Sequence, residues 1–116
     1  MESAADHFDL ESFEMLKDVM EDEFDDLIQV YIEDSDRRLP QLQQALTAAD
    51  AAELRELAHS FKGASSNISA VTLTELCRQL EQAGRDEQLD GLEQTLDQVV
   101  SEYCWVKNFL QSQLSL

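Results

Sequence analysis

Apolar residues recur along this chain at intervals of three and four, the period of one face of an α-helix. Phe13, Leu16 and Met20 mark a short first helix over about Leu10 to Met20. A longer second helix carries Phe24, Ile28, Tyr31, Ser35, Leu39, Leu42 and Leu46 on one stripe. Pro40 lies inside that stripe and lacks a backbone N–H, which predicts a kink one turn before it. Asp50 and Glu53 have capping-box spacing and start a third helix with Leu54, Leu57, Phe61 and Ile68 on its core side. Leu73, Leu76, Cys77 and Leu80 define a fourth, expected to stop near Gly84. Leu92, Leu96, Val99, Tyr103, Val106 and Leu110 define the last. Residues 1–9 read as a polar, loose lead-in, and His7 within them as uninvolved.

Four amphipathic helices with short connections predict an all-α, antiparallel up-down four-helix bundle with a short additional N-terminal helix. The 116 residues suit one domain spanning 1–116. The apolar stripes can all be satisfied within the chain, so a monomer is expected. With only 3 Gly and 1 Pro, the chain has too little turn punctuation for a sheet-rich fold.

The net charge of −17 argues against nucleic acid and anionic membrane surfaces as partners. The N-terminus is acidic without an apolar core, unlike a signal peptide, and no run approaches the roughly 20 apolar residues of a membrane span. A soluble, cytoplasmic protein is expected. Cys77 and Cys104 both sit in apolar helical patterns and are expected to be core thiols in a reducing compartment. Two cysteines without neighbouring ligands cannot build a zinc site.

The chemistry concentrates in AHSFKGASSN, residues 58–67. With His59 set at zero on a helical wheel, Leu57, Phe61 and Ile68 fall at roughly 160° to 200°, so the imidazole points to solvent. Lys62, Gly63 and Ser66 cluster beside it. Gly63, four residues on, costs the helix about 1 kcal/mol relative to alanine, a cost explained if another molecule must come close to the ring. Residues 55–85 hold four basic side chains (Arg55, Lys62, Arg78, Arg85) against three acidic ones, while the rest of the chain holds four basic and 22 acidic. A local positive patch around an exposed imidazole suits a small anion such as a phosphoryl group.

The run His59-Ser60-Phe61-Lys62-Gly63-Ala64-Ser65-Ser66-Asn67-Ile68-Ser69-Ala70, continued by Leu73, Leu76-Cys77 and Leu80-Glu81, resembles the histidine phosphotransfer (HPt) domain, in its stand-alone bacterial form, the HptB type. One departure is Ser69, at a position commonly Gly; Ser there is expected to cap the next helix. The resemblance implies a phosphocarrier of a multistep two-component phosphorelay. His59 would accept a phosphoryl group from a receiver-domain aspartate of a hybrid sensor kinase and pass it to the receiver of a response regulator. Lys62 would offset phosphoryl charge, and Gly63 would leave room for the receiver's active site. Glu81 would hydrogen-bond the imidazole; as the midpoint of 59 and 81 is residue 70, an antiparallel hairpin also brings those two level. Arg55, Ser66, Arg78 and Arg85 are candidate docking residues. No enzyme activity, metal site or cofactor of its own is implied, and Mg²⁺ is expected on the partner receiver.

Two rival readings remain at this point. Glu56 and His59 satisfy E-x-x-H, the ligand spacing of di-iron bundles, but such a site needs two inward-facing motifs. A helical adaptor using the same face without phosphate fits the acidic surface equally well, and would tolerate replacement of His59.

Overall fold

Side-chain caps start two of the helices where the chain offers a carboxylate. Asp9 accepts the Ser12 N–H at 3.2 Å and opens α1 (Leu10–Met20). Asp50 accepts the Glu53 N–H at 3.1 Å and opens α3 (Ala51–Asn67). Between them, α2 (Phe24–Thr47) begins with Asp25 and Asp26, acidic side chains that suit the positive end of a helix dipole. The remaining helices are α4 (Val71–Arg85) and α5 (Leu92–Ser112), with 3₁₀ turns at Ala4–Asp6 and Glu21–Glu23. These come from a computed structural model, which describes residues 3–114.

Helices α2 to α5 form the antiparallel bundle, and α1 packs beside α2. Phe13, Ile28, Leu42, Leu54, Phe61, Ile68, Leu73, Leu80, Val99, Val106 and Leu110 are fully buried along its axis. Each such side chain contributes about 1.5–3 kcal/mol on leaving water. Two hydroxyls tie the layers together: Tyr31 bonds Ser65 Oγ at 2.8 Å, and Tyr103 donates to Asp36 at 2.8 Å. No helix among the described residues is long and apolar enough to cross a membrane.

The stripes differ from the sequence reading in detail. Leu39, Leu46, Leu57 and Leu76 are half-buried, while Ile32, Ala45 and Ala58 are buried instead. A helix with neighbours on two sides buries a stripe wider than one residue per turn, and Ala45 and Ala58 fall within it. α2 runs as one helix through Pro40, which is exposed.

Residues 3–9 are not a loose lead-in. Phe8 is buried against Phe13 and Phe109, and His7 is 4 % exposed, stacked on Trp105 at 3.6 Å with Nδ1 2.6 Å from Glu102. Asp9 N–H donates to the Ser69 carbonyl at 3.0 Å and Thr72 Oγ1 donates to the Asp6 carbonyl at 2.7 Å, so the segment clasps the α3–α4 turn. Too short to show a period, it left no helical signal. Residues 1 and 2 of the expected lead-in lie outside the described residues.

Cys104 is exposed, not a core thiol; on α5 it falls just off the buried stripe that Tyr103 and Val106 follow. Cys77 is buried as expected, and burial pushes its thiol up to about 12.

Three helix ends share one geometry. Ala49, Ser69 and Glu87 adopt left-handed φ of 54°, 64° and 56° after α2, α3 and α4. In each, the following N–H reaches back to a carbonyl of the last turn: Asp50 to Ala45 at 2.9 Å, Ala70 to Ser65 at 3.0 Å, Gln88 to Ala83 at 3.0 Å. This is the Schellman closure, usually built on glycine. Ser69 therefore closes α3 and does not cap α4, whose N-cap is Ala70. α4 ends at Arg85, near Gly84 as expected, and the left-handed residue beyond its cap is Glu87.

Candidate functional site

The α3–α4 hairpin positions every side chain singled out around His59. The helical period turns His59 outward, and its side chain is 69 % exposed. Phe61 on the opposite side of α3 is fully buried and fixes that rotation. Across the hairpin, α4 buries Glu81 to 5 % exposure and presents its Oε2 to His59 Nδ1 at 2.8 Å. Lys62, one turn beyond His59, holds the other oxygen, Oε1, at 2.6 Å. Arg85 reaches Oε2 at 3.3 Å from one turn along α4.

A buried carboxylate is costly unless paired, and three donors surround this one. The Lys62 ammonium, and after it His59, hold the Glu81 carboxyl below the usual carboxylate range against the opposing effect of burial. Being ionised, the carboxylate only accepts, so Nδ1 of His59 must donate. In the neutral ring the proton therefore sits on Nδ1, and Nε2 carries a lone pair directed at solvent.

Gly63 meets open space. A Cβ there would have nothing within 4 Å, so no packing demand inside the chain explains the glycine. The docking candidates fall on two flanks. Arg55 and Arg85 line a cleft of about 420 Å³ with Ala52, Glu56, His59 and Glu81. Lys62, Ser66 and Arg78 line another of about 280 Å³ with Val71, Thr74 and Glu75, where Arg78 is paired to Glu75 at 2.6 Å. Arg85 is thus drawn into the Glu81 cluster itself, and the i,i+4 pairing of Glu81 with Arg85 coexists with the His59 contact.

His7 lies elsewhere, in a groove between α4 and α5 with Trp105 and Glu102, and contributes nothing to the His59 cluster. Among the described residues no three His, Cys, Asp or Glu side chains converge as a metal site would require. Sequence reasoning missed the Lys62–Glu81 ion pair, because wheels of separate helices say nothing of reach between them.

Comparison with known proteins gives a consistent picture. The model of the Hpt domain matches residues 26–111. The fold is similar to the crystal structure of histidine-containing phosphotransfer protein B (HptB) from Pseudomonas aeruginosa PAO1, at 38 % identity and a TM-score of 0.89 over 92 % of this chain and 93 % of that one. It is also similar to the histidine-containing phosphotransfer protein ZmHP2 from maize, at 26 % identity and a TM-score of 0.83 over 95 % of this chain and 84 % of that one. A search of curated proteins found no match.

Proposed function

The chain belongs to the Hpt domain family, and on that premise we propose that it is a phosphocarrier whose phosphoryl group rides on Nε2 of His59. The observation that carries this reading is one polarised ring. Nδ1 is anchored at 2.8 Å on a buried, ionised carboxylate, while the rest of the ring, with Nε2, belongs to a side chain 69 % exposed to solvent.

A neutral imidazole with its proton held on Nδ1 is a competent nucleophile near neutral pH. In the transfer, Nε2 attacks the phosphorus of an aspartyl phosphate on a receiver domain. The N–P bond forms as the acyl O–P bond breaks, and the aspartate leaves as carboxylate. Attack leaves positive charge on the ring, which the Glu81 carboxylate offsets. Lys62 lies within one turn and can share its ammonium between Glu81 and the incoming phosphoryl oxygens. Gly63 keeps the approach clear, and Arg55, Ser66, Arg78 and Arg85 offer docking contacts on either side.

The reaction needs an in-line arrangement and cationic neutralisation of the phosphoryl oxygens. In this reading the aspartate and the Mg²⁺ belong to the receiver, and the bundle is a carrier without catalytic machinery of its own. The same chemistry in reverse loads a second receiver, so the chain connects a hybrid sensor kinase to a response regulator in a phosphorelay.

The test is phosphoryl transfer from a phosphorylated receiver domain, with His59→Gln run alongside. An acid-labile, base-stable phosphate on the wild type and none on the variant is expected. A receiver that binds both chains equally while labelling neither would mark the protein as an adaptor.

A further inference from the structure

Gly84 is a glycine without a conformational reason. It lies inside α4, and its φ is outside the left-handed region that only Gly91 occupies among the glycines. It is the penultimate residue of the helix. Its reason is steric: a Cβ at Gly84 would lie 2.9 Å from the Ala51 carbonyl oxygen, 2.9 Å from Arg55 Cβ and 3.0 Å from Arg55 N. Two of those three atoms are backbone atoms in the first two turns of α3 and the third is a Cβ, so no side-chain rotation relieves the clash. The two helices touch here because residue 84 has no side chain.

Glu81 is one turn from Gly84 on the same buried face of α4, and His59 is one turn from Arg55 on α3. The contact at Gly84 and the contact at Glu81 are thus adjacent rungs of one antiparallel ladder. The hairpin is held at its far end by the turn around Ser69 and Ala70, so α3 and α4 open like tweezers. At 1.5 Å per residue, Glu81 lies about 16 Å and Gly84 about 21 Å from that pivot. Relieving the clash requires roughly 0.5 Å or more at residue 84. The lever returns about 0.4 Å of it at Glu81. A hydrogen bond of 2.8 Å would then stretch to the weak limit near 3.2 Å.

We infer that Gly84 is a positioning residue: its missing Cβ sets the α3–α4 separation at which Glu81 reaches Nδ1 of His59. The inference rests on the phosphocarrier reading for its consequence in phosphotransfer, and on geometry alone for its effect on the ring. A carboxylate that no longer reaches Nδ1 stops dictating where the neutral ring keeps its proton.

The experiment is ¹⁵N NMR of the His59 ring in Gly84→Ala, at a pH where the ring is neutral, with Val99→Ala as a control. Val99 is a fully buried α5 residue, so its truncation lowers global stability from a helix outside the α3–α4 pair. The wild type and Val99→Ala should both hold the Nδ1–H form. Gly84→Ala should show a rising Nε2–H population and phosphoryl transfer slowed roughly tenfold, as sub-ångström misplacement of a reacting group commonly does. If Gly84→Ala melts too early, the same spectrum is read in a Ser69→Gly background, where the left-handed turn is relieved. A destabilised Gly84→Ala that keeps the wild-type tautomer overturns the inference. A wild type that never takes up phosphate overturns the phosphocarrier reading instead, and leaves the tautomer comparison standing.

Discussion

Glu81 Oε2 and His59 Nδ1 meet at 2.8 Å across the α3–α4 hairpin, although 22 residues separate them in the chain. The carboxylate's second oxygen is occupied by Lys62 at 2.6 Å, so its orientation is fixed from two sides. A single buried acid thereby couples the exposed imidazole and the neighbouring ammonium into one unit.

Removing that acid should impair transfer more than it impairs folding. Charge-assisted hydrogen bonds contribute about 1.5–3 kcal/mol, which corresponds to roughly 10- to 100-fold in rate if the bond strengthens as the ring becomes cationic. Glu81→Ala is expected to lose that factor in initial transfer rate from a phosphorylated receiver. Glu81→Gln, which keeps an acceptor but no charge, should lose less.

The Glu81 carboxyl should titrate below the roughly 4.3 of a free glutamate, because Lys62 and then His59 favour its ionised form. A depressed carboxyl contributes stability that is present above its unfolded value and is lost as pH falls through the folded one. ¹³C NMR of the side-chain carboxyl against pH checks the midpoint. In Lys62→Ala the midpoint should move upward, and the ring contact should fail at a higher pH than in the wild type.

Ser69 holds a left-handed φ of 64° without being glycine. A β-carbon in that region costs about 1–2 kcal/mol, partly offset by the greater chain entropy of unfolded glycine. Ser69→Gly should therefore raise stability by roughly 0.5–1 kcal/mol. Urea denaturation would show it as a higher midpoint at unchanged slope.

The two thiols should separate cleanly in reactivity. Cys104 is exposed, while Cys77 is buried with its thiol pushed up to about 12. A thiolate-seeking reagent should modify one equivalent per native chain, mapped to Cys104 by peptide mass. Modification of Cys77 should appear only under denaturing conditions.

His7 should matter to stability and not to phosphotransfer. Its ring stacks on Trp105 at 3.6 Å and its Nδ1 lies 2.6 Å from Glu102, in a groove that shares no lining residue with the cleft at His59. His7→Ala is expected to cost about 2 kcal/mol, in the range of a buried ring with a polar partner. As Trp105 is the single tryptophan, its fluorescence reports the loss directly.

Much of this molecule is legible in the order of its residues. The first helix reads correctly from Leu10 to Met20, and the stripe read for the last helix, Leu92, Leu96, Val99, Tyr103, Val106 and Leu110, is buried at each position. Those segments pack one face against a wide neighbour, so a simple period suffices. The reading failed where two elements approach closely or where the chain is too short to have a period. Ala58 is buried and Leu57 half-exposed because α3 is squeezed between two helices. Phe8 and His7 gave no pattern within their short segment, yet both are core residues.

The turns were misread for a related reason. α4 does stop near Gly84, at Arg85, but no glycine closes it, and Ser69 does not cap the helix that follows it. The chain instead forces Ala49, Ser69 and Glu87 into the left-handed region, because packing of the adjoining helices outweighs the local backbone cost. Gly84 serves a distance between helices, which no window along a single strand of sequence can express.

By itself the sequence determined the helical class, the outward face of His59, and the presence of Lys62, Gly63 and Glu81 at spacings that put them near it. These follow from the helical period and from the hydrophobic stripe that must turn inward, both local properties of the chain. Only the tertiary structure decided that Glu81 is buried, that Lys62 shares it with His59, and that Gly84 sets how closely the two helices lie. Distances between elements depend on packing against atoms remote in the chain, and hydrogen bonding to the ring depends on tenths of an ångström in those distances.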